Sequence, residues 1–298
     1  MKLSFEPVNT DTIKPYLELW KKTSQKSSDY SSGVLLCWER ALGYSFAFEP
    51  DEDLVWIRGK KPDPHYLAPV GRWERGDWAD VVRGRFGSCA QFRLVPEALA
   101  AIWSEQFGDA MRAVEDRGSW EYLHKVRDLA DLAGNKYMRK RNRVNQFTKQ
   151  NPYNYLEIEP GLLPRIRGFQ EAWCESYRIF SSGASIEQES RGIIENILGN
   201  WEALSGLRGG AIEVNGNIVA YTIAEDAGDG TVMIHFEKAS LEYNSAFQVI
   251  NREFLQRGGS GFEIVNREED MNDPGLREAK MSYHPIGFVK KYTVEITL

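Results

Sequence analysis

Hydrophobic and polar positions alternate at two periods along this chain, and the changes of period mark its elements. LSFEPV (3–8) alternates as a strand, and Asn9, Thr10 or Asp11 can cap a helix whose apolar positions include Ile13, Leu17 and Trp20. A polar run at 23–32 reads as a loop. GYSFAFE, LVWIRG and YLAPVG then form three strand-like runs ending near Gly71. Asp77 opens a helix to about Phe86, QFRLV is a strand, EALAAIWSEQF a helix, and MRAVEDRGSWEYLH a strand or hairpin. From Tyr153 the order recurs: YLEIE as strand, RIRGFQEAWCESY and EQESRGIIENILGNWEAL as helices, and a hairpin turning at Asn215-Gly216. TVMIHFEKA (strand), AFQVINREFLQRG (helix), GFEIV (strand), PGLREAKMSYH (helix) and IGFVKKYTVEI (strand) complete it. The first half lacks only an obvious second helix. The pattern predicts an α/β (α+β) protein of two tandem units with mixed sheets, divided as 1–134 and 135–298.

Residues 125–150 read as one long helix, interrupted at most at Gly134, with a basic entry segment at 135–150. Between Lys136 and Lys149 stand six bases and no acid. Leu129, Leu132 and Ala133 form an apolar face that Lys136, Arg139, Lys140 and Arg143 continue, so the inward stripe turns cationic. Tyr137, Asn142, Asn145 and Phe147 lie between the bases. A shared face favours an anion-binding wall over a solvated surface, whereas a kink at Gly134 would separate the two.

The densest chemistry lies at 266–292. GFEIV delivers Asn266, Arg267, Glu268 and Asp270 to the start of a helix opened by Asn272 or Asp273 before Pro274. On that helix Arg277, Lys280 and His284 share one face, Leu276, Ala279 and Tyr283 another, and Pro285 ends it. Such charge density often means a surface ion-pair network, but a strand end beside a helix start is where α/β sheets form ligand crevices. On the strand HFEKA, simple alternation puts His235, Glu237 and Ala239 on one face, with Phe236 and Lys238 on the other.

Composition narrows the choice. With 42% hydrophobic and 27% charged residues over 298 positions, the chain is that of a soluble globular protein. A net charge of −6 argues against indiscriminate coating of nucleic acid and leaves room for a local basic site. Three scattered cysteines make no disulfide framework, and the four histidines have no ligand spacing, so no metal is expected. The N-terminus has no apolar signal core and the cysteines form no framework, so a reducing, cytosolic location is expected. Neither a GxSxG elbow, a P-loop nor a dinucleotide fingerprint is present.

YMRKRNRVNQF, HFEKAS, NREEDMNDPGLREAKMSYHP and VKKY resemble the motifs of the phosphatidylglycerol lysyltransferase C-terminal-domain-like family, over roughly residues 120–298. That resemblance implies two tandem folds of the GCN5-related N-acetyltransferase type and transfer of an amino acid from aminoacyl-tRNA to an acceptor. It implies Glu237 as general base, with His235 beside it in the catalytic set. Lys280 would stabilise an oxyanion, as a late-helix lysine does in the related peptidoglycan-bridge aminoacyltransferases. Tyr283 would protonate a leaving group, although its apolar face favours core packing over that role. An ion pair from Glu237 to Lys238, Lys280 or Arg267 is the competing reading. Lys136, Arg139, Lys140, Arg143, Asn266, Arg267, Glu268, Arg277 and His284 form the expected substrate-binding set. The segment SLEYNSAFQVINREF, where this fold grips a coenzyme pyrophosphate, contains no glycine. No tightly bound cofactor is therefore expected, and aminoacyl-tRNA is favoured over acyl-coenzyme A as donor. In the first half, Gly71, Arg72, Arg75 and Gly76 resemble a phosphate loop only weakly. The partners expected are a tRNA acceptor end or another phosphate-bearing ligand, with contact to a membrane surface left open. Acyl-coenzyme A-dependent transfer and a non-catalytic binder of RNA or an anionic metabolite stay open as alternatives.

Overall fold

The computed structural model describes residues 3–180 and 184–298. Its backbone forms two mixed sheets in two compact units, and neither unit is contiguous in sequence. The first comprises residues 1–121, 269–277 and 288–298, and the second comprises 122–268 and 278–287. The division expected at 134/135 falls inside the second unit, which already begins at Tyr122. The segment 111–124, expected as a strand or hairpin, is instead two strands in different sheets, Met111–Glu115 and Glu121–Lys125. The last strand likewise divides into Gly287–Val289 and Lys291–Thr297.

In the first unit, Lys291–Thr297 lies between Cys89–Pro96 and Met111–Glu115, antiparallel to both. Ser45–Glu49 and Leu54–Gly59 extend this sheet antiparallel, whereas His65–Leu67 joins Cys89–Pro96 in parallel. The missing second helix of this half is present as two short pieces, Ser32–Cys37 and Glu39–Leu42. Trp56, Trp78, Phe92 and Trp103 are fully buried, and Trp78 meets both Trp56 and Trp103 edge to face, an arrangement that ring quadrupoles prefer. Gly71 has φ +130, and a Cβ there would lie 2.0 Å from the carbonyl oxygen of Asp53. Its glycine is explained by that close strand approach. Arg75 is committed to Glu52 and Asp77, so the weak phosphate-loop resemblance is occupied by internal ion pairs.

A buried charge cluster fixes this unit. The Lys291 ammonium pairs with Asp29 and sits 2.6 Å from Glu121, and neither Lys291 nor Glu121 is exposed. One Glu121 oxygen also accepts from Ser27 Oγ, Ser28 N and Ser28 Oγ, each at 2.8 Å. Burial pushes Asp29 up to about 6 against the pull of Lys291. Burial also works against the Lys291 charge, but Asp29 and Glu121 more than offset it and hold its pKa well above the ordinary value.

In the second unit, Leu207–Val214, Asn217–Asp226 and Thr231–Ala239 form an antiparallel meander, with Tyr153–Glu157 at one edge. Thr231–Ala239 then pairs in parallel with Ile264–Asn266, over only three positions ending at Met233 and Asn266. Beyond that point the two strands part. Ala246–Arg257 covers one sheet face with Val249, Ile250 and Phe254, spaced for a single helical stripe, against Ile212, Val232, Ile234 and Ala239. Leu163–Phe180 covers the other face: Tyr221 Oη donates to Gln170 at 2.6 Å and Trp173 Nε1 to the carbonyl of Ala239 at 2.9 Å.

The single basic helix expected over 125–150 is broken into Val126–Asp131 and Met138–Gln150, with a 3-10 turn at Asn135–Tyr137 between them. Leu132 buries its side chain at φ 50 and Gly134 sits at φ 80, so the helix ends before the glycine. Arg141 donates to the carbonyl oxygens of Leu132 and Gly134 at 2.5 and 3.1 Å and satisfies the broken turn. The stripe therefore does not run on as a cationic face. Tyr137, Val144 and Phe147 turn inward instead. Among the described residues, no helix is long and apolar enough to cross a membrane.

Replacing Lys291 by methionine strands two carboxylates in the first unit. Loss of one partner from such a buried group costs about 3–5 kcal/mol. Urea denaturation of Lys291→Met is expected to show a loss of that size, and a loss like that of an exposed pair would mean that the cluster is solvated.

Candidate active site

The geometry of the second unit follows from one extra residue. Ile223 pairs with Phe236 and Ala224 with Ile234, which leaves His235 without an opposite number. This β-bulge resets the alternation. Glu237 consequently faces the helix Ala246–Arg257, where Asn251 Nδ2 donates to it at 3.0 Å. His235 turns to Glu225 instead, so the shared face expected for His235 and Glu237 does not form. His235 Nε2 lies 2.9 Å from Glu225 and Nδ1 lies 2.7 Å from Glu268. Burial opposes a charge on this ring, but the hydrogen bonds to Glu225 and Glu268 prevail and raise its pKa to about 10. His235 is an imidazolium clamped at both nitrogens, a bracket between strands that have just parted.

Across the same gap, Arg267 Nη2 donates to Glu237 at 3.2 Å. Its guanidinium carbon stands 4.7 Å from the centre of the Tyr283 ring, and the Lys140 ammonium lies 4.2 Å from the same ring. Two cations thus share one aromatic ring beside one carboxylate. Burial, then the charges of Arg267 and Arg143, push Lys140 down to about 8. Burial raises the Tyr283 phenol to about 12 although Arg267 holds it back. The Arg267 backbone is pinned on both sides: its N–H donates to Tyr122 at 2.9 Å and its carbonyl accepts from Lys280 Nζ at 2.6 Å. Arg267 Nη1 is buried and has no hydrogen-bond partner. Such an unmet donor costs on the order of 1–3 kcal/mol. His124 is buried nearby. Burial, followed by the charge of Arg267, pushes it down to about 3, so its ring is neutral.

The other expected residues separate. Lys140 is half-buried against the site, whereas Lys136, Arg139 and Arg143 are exposed, and Lys136 pairs with Asp128 at 3.4 Å. Asn266 is buried and accepts from the Glu268 amide at 2.9 Å, shaping the turn that brings Glu268 to His235. The last helix, Pro274–Met281, stops short of His284, which sits at φ 55 with Nε2 3.4 Å from the carbonyl of Lys136. Arg277, Lys280 and His284 therefore do not share a helical face. Arg277 belongs to the first unit, where both oxygens of the buried Asp270 take its guanidinium at 2.8 Å. Lys280 is buried with its ammonium over Tyr122.

Asn251 and Glu225 completed the site unforeseen. Asn251 occupies an apolar-stripe position of its helix, a polar residue where the spacing calls for a hydrophobic one, and that was the available signal. In the loop before this helix, the amides of Glu242, Tyr243 and Ala246 donate within the loop itself. A separate cavity of about 390 Å³, lined in part by Tyr155, Arg208, Arg257 and Phe262, holds none of the expected catalytic residues. Among the described residues, no group of three or more His, Cys, Asp or Glu side chains could hold a metal ion.

Comparison with known proteins agrees with this architecture. A family model described as "Phosphatidylglycerol lysyltransferase, C-terminal" matches residues 20–295. The crystal structure of a conserved protein of unknown function from Bacteroides thetaiotaomicron superposes with a TM-score of 0.88 at 28% identity, over 99% of this chain and all of that one. The structure of L-PGS from Bacillus licheniformis superposes at 0.64 with 15% identity, over 98% of this chain and 93% of that chain, and so shares the fold. An uncharacterized protein of Mycoplasmoides gallisepticum is 22% identical over 183 residues, and the match spans 60% of this chain but only 56% of that protein.

The clamp on His235 carries a pH signature. Its folded-state value of about 10 lies above the ordinary 6.5, so its stabilisation is complete below pH 6.5 and is lost as pH rises through about 10. The stability difference between the wild type and His235→Gln, read by urea denaturation, is expected to shrink across that window. A constant difference would mean that the ring is neutral.

Proposed function

The chain belongs to the phosphatidylglycerol lysyltransferase C-terminal family, and from that premise we propose that it transfers an aminoacyl group from aminoacyl-tRNA to an amine or hydroxyl acceptor, with Glu237 taking the acceptor's proton. The observation that carries this reading is the Glu237 carboxylate, largely buried where the two strands part and aimed by Asn251 and Arg267. Attack on an ester carbonyl requires a base to take the proton of the attacking amine or alcohol. A carboxylate held at a fixed angle in a partly dry site is suited to that task. Lys140, Arg143 and Arg267 make the surroundings positive, and the exposed Arg139 and Lys136 on the approach suit the phosphates of a tRNA acceptor end. His235 serves as a fixed cation that keeps the gap open, and Lys280 positions Arg267 through its backbone. Tyr283 supplies the ring on which two cations rest. Acyl-coenzyme A fits less well as donor, because amides of the loop before Ala246–Arg257 are spent on the Ser240 hydroxyl and on the carbonyls of Ser240 and Tyr243.

A pool of charged tRNAs offered to mixed lipid, peptide and small-amine acceptors, read by mass spectrometry, tests the activity. An aminoacyl adduct is expected with the wild type. Glu237→Gln should slow turnover by about 10²–10⁴ while tRNA still binds. Arg139→Ala should instead weaken tRNA binding with a reduced salt dependence and leave the bound-state rate nearly unchanged. Binding of tRNA without any adduct would leave a non-catalytic RNA binder as the better description.

Lys140 makes the binding pH-dependent. It loses its charge as pH rises through about 8, so donor affinity should fall across that range in the wild type and hold steady in Lys140→Arg. Fluorescence titration with labelled tRNA at fixed ionic strength measures it, and identical profiles would remove Lys140 from the donor site.

A further inference from the structure

The structure assigns to Arg267, beyond its contact with Glu237, the role of binding the carbonyl oxygen of the transferred group as that oxygen becomes negative. This rests on the aminoacyl-transfer reading above. Its guanidinium is a two-pronged donor with one prong committed, Nη2 to Glu237 at 3.2 Å. The other prong, Nη1, is a buried donor with no partner in the resting protein. The mount is rigid, because Tyr122 and Lys280 hold the Arg267 peptide from either side and Tyr283 backs the guanidinium plane. A fixed donor with an unmet hydrogen bond costs no reorganisation when charge arrives, which is the condition for favouring a transition state over a ground state.

Because both nitrogens belong to one planar group, an oxygen held by Nη1 lies beside the carboxylate held by Nη2. One step then uses both. The acceptor's nitrogen or oxygen forms a bond to the ester carbonyl carbon while its proton passes to Glu237. The carbonyl π pair moves onto the oxygen at Nη1. On collapse that pair re-forms the double bond, the bond from carbon to the ribose oxygen breaks, and the proton returns from Glu237 to that ribose oxygen. Every proton and electron pair is accounted for without a further reactant. Lys280, with its ammonium against the Arg267 carbonyl, acts in this arrangement through Arg267 and is a positioning residue.

Two non-reacting probes separate this role from simple binding. One is an aminoacyl-adenosine in which an amide replaces the ester, resembling the ground state. The other carries a tetrahedral, anionic phosphonate at the same position. Calorimetry should find the phosphonate bound more tightly by the wild type, and that preference should fall about 10²–10³-fold in Arg267→Ala, with amide affinity little changed. Arg267→Lys keeps the charge beside Glu237 and guards against a loss of fold. It too should lose the preference, since an ammonium cannot serve both oxygens in the same plane. Guanidinium, at concentrations that leave thermal melting unchanged, should restore part of it to the alanine variant. A preference retained in Arg267→Lys, or an equal loss of both affinities, overturns the assignment. If the wild type makes aminoacyl adducts while Arg267 variants keep the preference, only this inference fails. If the wild type binds neither probe and makes no adduct, the transfer reading fails and takes this inference with it.

Discussion

A charge buried where two strands diverge has to be answered by groups carried by the backbone around the gap, and the second unit is arranged around that requirement. Thr231–Ala239 and Ile264–Asn266 stop pairing after three positions, which opens a wedge in the middle of the sheet. An open wedge in a core would fill with a neighbour's apolar side chains unless polar groups held its walls. His235, charged and gripped by Glu225 and Glu268, ties the walls together at one level. Arg267 and Glu237 do so at the next. The bulge makes this possible, because without the additional residue His235 and Glu237 would point the same way and one wall would lack its bridge. The same pairing that keeps the wedge open presents a carboxylate and a guanidinium within it.

The sequence revealed the parts of this arrangement better than their joints. Strand and helix periods placed Glu237, Arg267 and Lys280 on regular elements, and the polar density around residues 266–280 pointed to the segment that lines the wedge. Alternation alone misplaced His235, since a bulge is a property of hydrogen-bond register and leaves no mark in a hydrophobic pattern. The long basic helix failed at Leu132 for a related reason. Burying that leucine is worth more than continuing the helix, and a left-handed leucine is a tertiary outcome that helical propensity does not foresee. The ion cluster of Asp29, Glu121 and Lys291 had no local signal at all. Each residue sits in an ordinary-looking segment, and only the path of the chain brings them together.

Charge runs illustrate the same limit from another side. Lys136, Arg139, Lys140 and Arg143 look interchangeable as letters. In the folded chain they differ in kind, because Lys140 is drawn down onto the Tyr283 ring and loses much of its basicity while Arg139 stays in water. Arg277 and Lys280 differ likewise, the first locked to Asp270 and the second to a backbone oxygen. What separates such residues is desolvation, and desolvation is decided by neighbours far away in sequence.

The strand Lys291–Thr297, seated between two strands made some two hundred residues earlier, bears on how the protein is born. When residues 89–115 leave the ribosome, the slot between them is empty and its two edges are unpaired. At ordinary rates of synthesis the strand that fills it arrives roughly 10 to 35 s later. The N-terminal half must therefore wait, with sticky strand edges open, while the segment that becomes most of the second unit is translated and can fold first. Order of emergence and order of completion therefore differ in this chain, and the strand edges at 89–96 and 111–115 are among the last to reach their final partner.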